Sequence, residues 1–328
     1  MKVSLLNWLS CPKCKGNIIL EGGLNHKETT EIETGSLKCA LCGDVFLIVN
    51  SIPRFIREEG YTNNFGFQWN LFRKTQLDSY TNTTISKDRF FREFKWNPEQ
   101  MKGKLIIDAG CGAGRFAEIA LSTETIVFAV DYSNAVDACW KNLKNKENLH
   151  VVQADIYNLP FRSDTFDYIY SFGVLHNTPN VKKSFFSLIQ KLKNGGKICV
   201  DFYRKDWKIY LWSKYWLRPI LKNLPQEKLL KIIKKVSPVL LLISNSLNRI
   251  PKIGHYLKYA IPVVNHKGEL PLNKELLFEW TILNTFDMFS PKYDNPQNEK
   301  EVSWWLTEAN LSNIEVLNQG LVVARGTK

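Results

Sequence analysis

Residues 106–114 read Ile-Ile-Asp-Ala-Gly-Cys-Gly-Ala-Gly, an apolar strand end that runs into three glycines with an acid at the turn. A loop of this kind, opening a helix, offers bare backbone N–H groups to a ligand. The residues beyond the loop fix the fold class. Arg115-Phe116-Ala117-Glu118-Ile119-Ala120 reads as a helix start, and Thr125–Val130 as an apolar strand ending in Asp131. Leu149–Ala154 reads as a strand ending in Asp155, and Phe166–Phe172 as a strand opening onto Gly173-Val174-Leu175-His176-Asn177. Gly195-Gly196 reads as a turn into the strand Lys197–Tyr203. Strand and helix alternate, with polar or acidic groups at the carboxyl ends of successive strands. That order predicts an α/β, doubly wound sheet with its ligand site at those ends.

Two ligand classes fit the loop. Gly112-x-Gly114-x-x-Ala117 satisfies the dinucleotide fingerprint, with Asp131 suitably spaced to hold a ribose. Asp108 argues the other way. A carboxylate at the loop's mouth repels a pyrophosphate and suits a ligand carrying positive charge beside a carboxylate, such as S-adenosylmethionine.

The segments IIDAGCGAGRF, VFAVDYS, VVQADIYNLPF, FDYIYSFGVLHN and LKNGGKICVDFY stand in one order and spacing. In them the chain resembles the class I S-adenosylmethionine-dependent methyltransferases, over residues 101–204 and the C-terminal stretch. The resemblance implies a Rossmann-like, mostly parallel seven-stranded sheet. It implies that Gly110, Gly112 and Gly114 cradle the methionine part, with Asp108 beneath them. Asp131, followed by Tyr132, would bind the ribose hydroxyls. Asp155 would accept from the adenine amino group, while the Ile156 N–H faces the ring. Ser171 and Phe172 match positions that line the methionine end.

Seven cysteines divide into a set of four and three scattered ones. Cys11-Pro-Lys-Cys14 and Cys39-Ala-Leu-Cys42 are separated by 24 residues. Two such pairs turn four thiolates toward one tetrahedral ion, the closed soft shell of structural zinc. A segment this small would hardly bury enough surface unaided. Cys111, Cys139 and Cys199 suit reduced packing residues better than a disulfide frame. The flanking sequences Leu5–Gly16 and Val49–Phe55 resemble the Trm112-like zinc-ribbon family, whose standalone members bind and support methyltransferases. A fused copy would brace its own catalytic domain. The family's usual Asp-Gly before Ile-Pro is Asn50-Ser51 here, which puts that turn in question. His26–Ser36 reads as a loop or hairpin tip.

At 328 residues, about two domains are expected. The reading divides the chain into a zinc ribbon (1–60), a helical linker or lid (61–100), a catalytic domain (101–204 with 276–328) and a basic insert (205–275). Within the linker, Phe65-Gly66-Phe67-Gln68-Trp69 precedes polar helical sequence through Phe94. This segment either folds over the cofactor or connects while its aromatics pack on the sheet. No apolar run of about 20 residues exists, and Val236–Ile243 is short and holds a proline. The N-terminus lacks the apolar core of a signal peptide. The expected location is cytoplasmic, extending to the inner face of the membrane.

The charge is concentrated. From Lys205 to Lys267, thirteen Lys and Arg meet only Asp206 and Glu227, a net +11 of the chain's +12. Trp207, Tyr210, Trp212, Tyr215 and Trp216 lie in the same stretch. It reads as helices broken at Pro219, Pro225, Pro238 and Pro251. Trp207, Leu211, Lys214, Tyr215 and Arg218 share one helical face that mixes apolar and basic character. Such a face suits an anionic membrane surface, an acidic small substrate, or RNA. RNA is the less favoured partner, and no DNA partner is expected. Farther on, Leu276–Phe289 and Glu299–Ala309 read as helices, and Ile314–Leu317 with Leu321–Ala324 as an antiparallel pair.

Methyl transfer is an in-line displacement that needs alignment and exclusion of water. His176 is the candidate base for a hydroxyl acceptor, with Tyr203 and Tyr293 behind it. Asp287, Lys292 and Tyr293 could reach the cleft, while His255 and His266 read as surface residues. The leading expectation is methyl transfer to a small-molecule, glycan or lipid-linked acceptor, oxygen favoured. The alternatives are an RNA base methyltransferase and a non-catalytic scaffold.

Overall fold

Among the described residues, eleven strands form one continuous sheet. They are β1 (Ile18–Leu20), β2 (Gly35–Cys39), β3 (Val45–Val49), β4 (Ile52–Arg54), β5 (Leu105–Ala109), β6 (Ile126–Asp131), β7 (Leu149–Gln153), β8 (Phe166–Ser171), β9 (Leu192–Tyr203), β10 (Ser312–Asn318) and β11 (Leu321–Thr327). Their order is β1-β2-β3-β4-β7-β6-β5-β8-β9-β11-β10. The structure is a computed structural model that describes residues 1–21, 31–57, 60–205, 212–250, 254–318 and 320–328.

From β7 to β9 neighbouring strands are parallel, and the chain returns antiparallel through β11 and β10. The expectation of seven strands is corrected to eleven, because the ribbon does not sit apart. Its strand β4 adds parallel to β7 at Arg54 and Gln153. The Phe55 N–H then donates to the Gln153 carbonyl at 2.8 Å. The Arg54 guanidinium donates to Gln153 Oε1 and Asp137 Oδ1, each at 2.7 Å. Unpaired backbone at a sheet edge is an open template, and here the chain covers it with itself.

The core follows the sheet's two faces. On one face, Leu5, Leu9, Leu37 and Ile48 of the ribbon share a buried cluster with Phe128, Phe161 and Phe166. Trp8 meets the Phe128 ring edge-on at 5.1 Å. On the other face, Phe90, Phe94 and Trp96 pack on Tyr168 and Tyr170. A third cluster joins Leu229, Leu230 and Ile233 of the insert to Ile282, Leu283 and Phe286.

Four local expectations change. Asn50 and Ser51 both take left-handed φ, +52° and +64°, so the two-residue hairpin between β3 and β4 forms without the usual Asp-Gly. Ser36 and Gly35 belong to β2 rather than to a loop, while His26 lies outside the described residues. Gly195-Gly196 is a bulge within β9, with Leu192 opposite Phe166 and Lys197 opposite Tyr168. Pro219 and Pro238 lie inside the helices Ser213–Leu221 and Gln226–Leu247. Both prolines sit on exposed faces, where water can satisfy the carbonyl each leaves free. Pro225 caps the longer helix, and Pro251 lies outside the described residues. Among the described residues, no helix is long and apolar enough to cross a membrane.

Candidate functional site

A cavity of about 1060 Å³ opens at the carboxyl ends of β5 to β9. Gly110 and Gly112 line it, and backbone geometry explains the choice of glycine. Both have left-handed φ, +89° and +51°. A Cβ on Gly110 would stand 2.2 Å from Val174, and one on Gly112 would meet the Trp69 indole at 3.1 Å. Trp69 belongs to the helix Asn63–Leu71, so the 61–100 segment walls the cavity while its later aromatics pack on the sheet. Gly114 stands back from the cavity.

The strand-end acids differ in their surroundings. Asp131 lines the cavity; its Oδ2 accepts the Gly112 N–H at 2.9 Å and its Oδ1 the Ser133 hydroxyl at 2.7 Å. Asp108 lies beneath the loop and does not line the cavity. Burial pushes its carboxyl up to about 8, against the pull of the Tyr170 hydroxyl and the Ala117 N–H. The repulsion of pyrophosphate assigned to Asp108 at the loop's mouth is therefore corrected. A buried acid near neutrality presents little charge to a ligand. Asp155 caps the turn Ile156–Asn158 through the Tyr157 N–H at 2.9 Å, and burial raises its pKa. Ile156, Tyr132 and Phe172 line the cavity, and Tyr132 stacks on Tyr61 at 5.6 Å. Ser171 does not line it, because its hydroxyl is spent on the Ala109 carbonyl at 2.7 Å.

His176, Tyr203, Lys214, Asp287 and Gln68 line the same cavity. The His176 ring is 1% exposed and lies 3.8 Å from the Tyr203 ring, and among the described residues neither ring nitrogen has a hydrogen-bond partner. Burial holds its imidazolium down to about 3, so the ring is neutral at physiological pH. Burial also keeps Tyr203 a phenol, well above its ordinary value. Asp287 is half-buried, accepts from the Gln68 amide at 3.2 Å, and has a pKa raised by desolvation. Tyr293 and Lys292 do not reach the cavity. Tyr293 instead turns its ring edge to Tyr61 at 5.3 Å.

The insert's mixed face also turns inward. Lys214 and Arg218 are buried and share the Asp294 carboxylate, with the Lys214 ammonium 4.1 Å above the Tyr203 ring. Trp207 and Leu211, expected on the same face, lie outside the described residues. His266 is no surface residue. It lines the cavity, 2.6 Å from the Asn284 amide. His255 has no described side chain.

Several wall residues carry no motif that singles them out in the sequence. The helix Lys274–Phe289 presents Trp280, Asn284, Asp287 and Met288, spaced as one helical face. Polar groups recurring at that spacing in an apolar helix were the available signal. Arg115 donates to Ser86 Oγ at 2.9 Å and Gln76 Oε1 at 3.1 Å, and burial lowers it only to about 9, so it stays charged.

The donors fit both expected groups. The Sγ atoms of Cys11, Cys14, Cys39 and Cys42 all lie within 4.8 Å of one another. The Cys11–Cys42 and Cys14–Cys39 pairs stand 3.7 and 3.4 Å apart, near the separation of about 3.8 Å that tetrahedral zinc–thiolate bonds impose. The Cys42 N–H helps hold the Cys39 thiol down to about 6. For the adenosyl group, the cavity offers a cradle without side chains at Gly110 and Gly112 and a carboxylate at Asp131.

Comparison with known proteins agrees with this geometry. The Methyltransferase domain family matches residues 107–200, and the Trm112p-like protein family matches residues 2–51. An uncharacterized chloroplastic methyltransferase of Arabidopsis thaliana is 32% identical over 148 residues, 42% of this chain and 40% of the relative. A ubiquinone biosynthesis O-methyltransferase of Coxiella burnetii is 27% identical over 128 residues, 38% of this chain and 55% of the relative. The chain thus spans about half or less of the length of these curated relatives. A solved complex of the Haloferax volcanii Trm112 methyltransferase activator with a methyltransferase aligns at TM-score 0.43 and 12% identity, over 80% of this chain and 96% of that one. This chain therefore carries a methyltransferase domain joined to a Trm112p-like zinc-ribbon domain.

Proposed function

We propose that the protein is an S-adenosylmethionine-dependent methyltransferase that modifies an oxygen of a small-molecule, glycan or lipid-linked acceptor. The single observation that carries this reading is the cavity itself. A glycine cradle with Asp131 and the polar side chains of His176, Tyr203 and Asp287 line one and the same cavity. The division of labour follows the chain: ribbon 1–60, wall segment 61–100, catalytic residues 101–204 with 276–328, and insert 205–275.

When bound, S-adenosylmethionine supplies an electrophilic methyl group on a positively charged sulfur. The chain's residues do the rest. Asp131 Oδ2 still has a lone pair free to accept from a ribose hydroxyl, since the other acceptor sites take the Gly112 N–H and the Ser133 N–H and hydroxyl, and Gly110 and Gly112 admit the methionine part. Phe172, Trp69 and Tyr61 exclude water, which protects the electrophile and strengthens nearby electrostatics. Neutral His176 can hold the acceptor hydroxyl. Its low conjugate-acid pKa makes it a weak proton sink, so its expected role as base is revised to orientation. Asp287, whose pKa burial raises above the ordinary carboxylate value, is the better proton acceptor.

Transfer of radiolabelled methyl from S-adenosylmethionine to cell extract, split into lipid, glycan, small-molecule and RNA fractions, tests this reading. Label in one of the first three supports it. Label confined to RNA would favour a base methyltransferase. The inward turn of Trp212, Tyr215 and Tyr259 speaks against RNA, since rings facing the cavity do not stack on exposed bases. No label in any fraction, with S-adenosylmethionine bound, would favour a scaffold.

A further inference from the structure

The insert sorts its side chains in two directions. Lys214, Arg218 and the rings of Trp212 and Tyr259 face inward, toward the cavity and Asp294. The helix Gln226–Leu247 does the reverse with its aliphatics. Its inner stripe, Leu229, Leu230 and Ile233, is buried in the cluster with Ile282 and Phe286. Its outer stripe, Ile232, Val236, Val239 and Ile243, is exposed. The outer four recur at the helical repeat, so they form one continuous line. Leu242 beside them is 68% exposed and Val239 59%. Lys228, Lys231, Lys234 and Lys235 are exposed on the same helix, whose only acid is Glu227 in the first turn. Trp216 and Ile220 of the preceding helix are exposed as well.

Here we propose that this outer face docks the protein on an anionic lipid bilayer, the helix lying flat at the interface. The aliphatic line enters the headgroup boundary and the lysines meet lipid phosphates. Charge selects the occupant. A second copy would bring the helix's net positive charge, four lysines against Glu227 alone, up to the same charge. RNA would find an aliphatic line with no rings to stack on along this helix. The bilayer satisfies both halves of the face, since it offers apolar depth beneath a negative surface. The inference goes beyond methyl transfer and stands whether or not the acceptor is a lipid.

Co-sedimentation of the full chain with phosphatidylglycerol–phosphatidylcholine vesicles, against phosphatidylcholine alone, tests it. The wild type should partition to the anionic vesicles and release as salt rises. The triple variant K228E/K231E/K235E and the double variant V239D/L242D should each lose at least about tenfold in partition. Both should keep the melting temperature and the affinity for S-adenosylhomocysteine, because none of these residues lines the cavity or is buried. Equal binding to neutral vesicles, no binding to either kind, or partition unchanged in both variants would overturn the proposal. So would a stable dimer that V239D/L242D dissociates, or RNA binding lost in the lysine variant without any vesicle binding.

Discussion

The ribbon and the insert are the two additions to the strand–helix core, and both divide their apolar side chains between a buried set and an exposed one, Leu41 and Leu47 in the ribbon and Val239 and Leu242 in the insert. They differ in charge: ribbon lysines pair with acids, Lys13 with Asp44 and Lys38 with Glu21, whereas the helix Gln226–Leu247 sets four lysines against Glu227 alone. The ribbon buries Leu5, Leu9, Leu37 and Ile48 in a cluster shared with the sheet. The insert shares one stripe with the core and leaves another in the open. A surface buried within the chain braces it. A surface left apolar and basic is shaped for something outside it. On the proposal made above, the ribbon braces the fold, while the insert serves both the cavity its inner side chains line and the exterior its outer stripe faces.

The largest expected effect falls on the bracing side. Cys39→Ser, which removes one thiolate of the ribbon's set, should destabilise the whole chain by more than about 4 kcal/mol in calorimetry. A ribbon that melted separately, leaving the main transition in place, would break the claim of a shared core. Leu9→Ala should come next, at about 2–5 kcal/mol in urea unfolding, since it opens a cavity beneath Phe161. The contrasting change on the insert, Leu242→Ala, should stay within about 0.5 kcal/mol. Comparable values for these two would erase the contrast.

Acid sensitivity sharpens the same comparison at the ribbon junction. His150 is buried between Trp8 and Phe128, with ring centroids at 5.4 and 4.9 Å. Burial, aided by Lys2 and the N-terminal amine, lowers its pKa from 6.5 to about 4. The unfolded chain therefore takes up a proton below pH 6.5 while the native chain does not, and stability is lost as pH falls through that window toward 4. At pH 5 this amounts to about 2 kcal/mol. His150→Phe should remove that share, so the fall in stability from pH 7 to pH 5 should shrink by about 2 kcal/mol relative to the wild type. An unchanged fall would mean that His150 is solvated in the native state.

Much of this was legible in the chain because it is local. The glycine loop, the strand ends and the paired cysteines each carry their geometry within a few residues. The fate of Asp108 was not, because its charge depends on what closes over it from Tyr170 and the helix behind. Helical spacing put Lys214 and Arg218 on one face but could not say which way the face turned. That was decided by Asp294, some seventy-six residues later in the chain. The joining of ribbon and sheet combines the strand pair at Arg54 and Gln153 with the shared apolar cluster, contacts with no signature in either segment. Pro238 misled because a proline on an exposed helical face interrupts less than one in a buried turn.

Calorimetric titration of S-adenosylmethionine and NAD into the wild type and Asp131→Ala tests the central claim most directly. The account predicts that the wild type binds S-adenosylmethionine, that NAD binds weakly or not at all, and that Asp131→Ala lowers the first affinity by about a hundredfold without lowering the melting temperature. Tight NAD binding by a protein that ignores S-adenosylmethionine would contradict it.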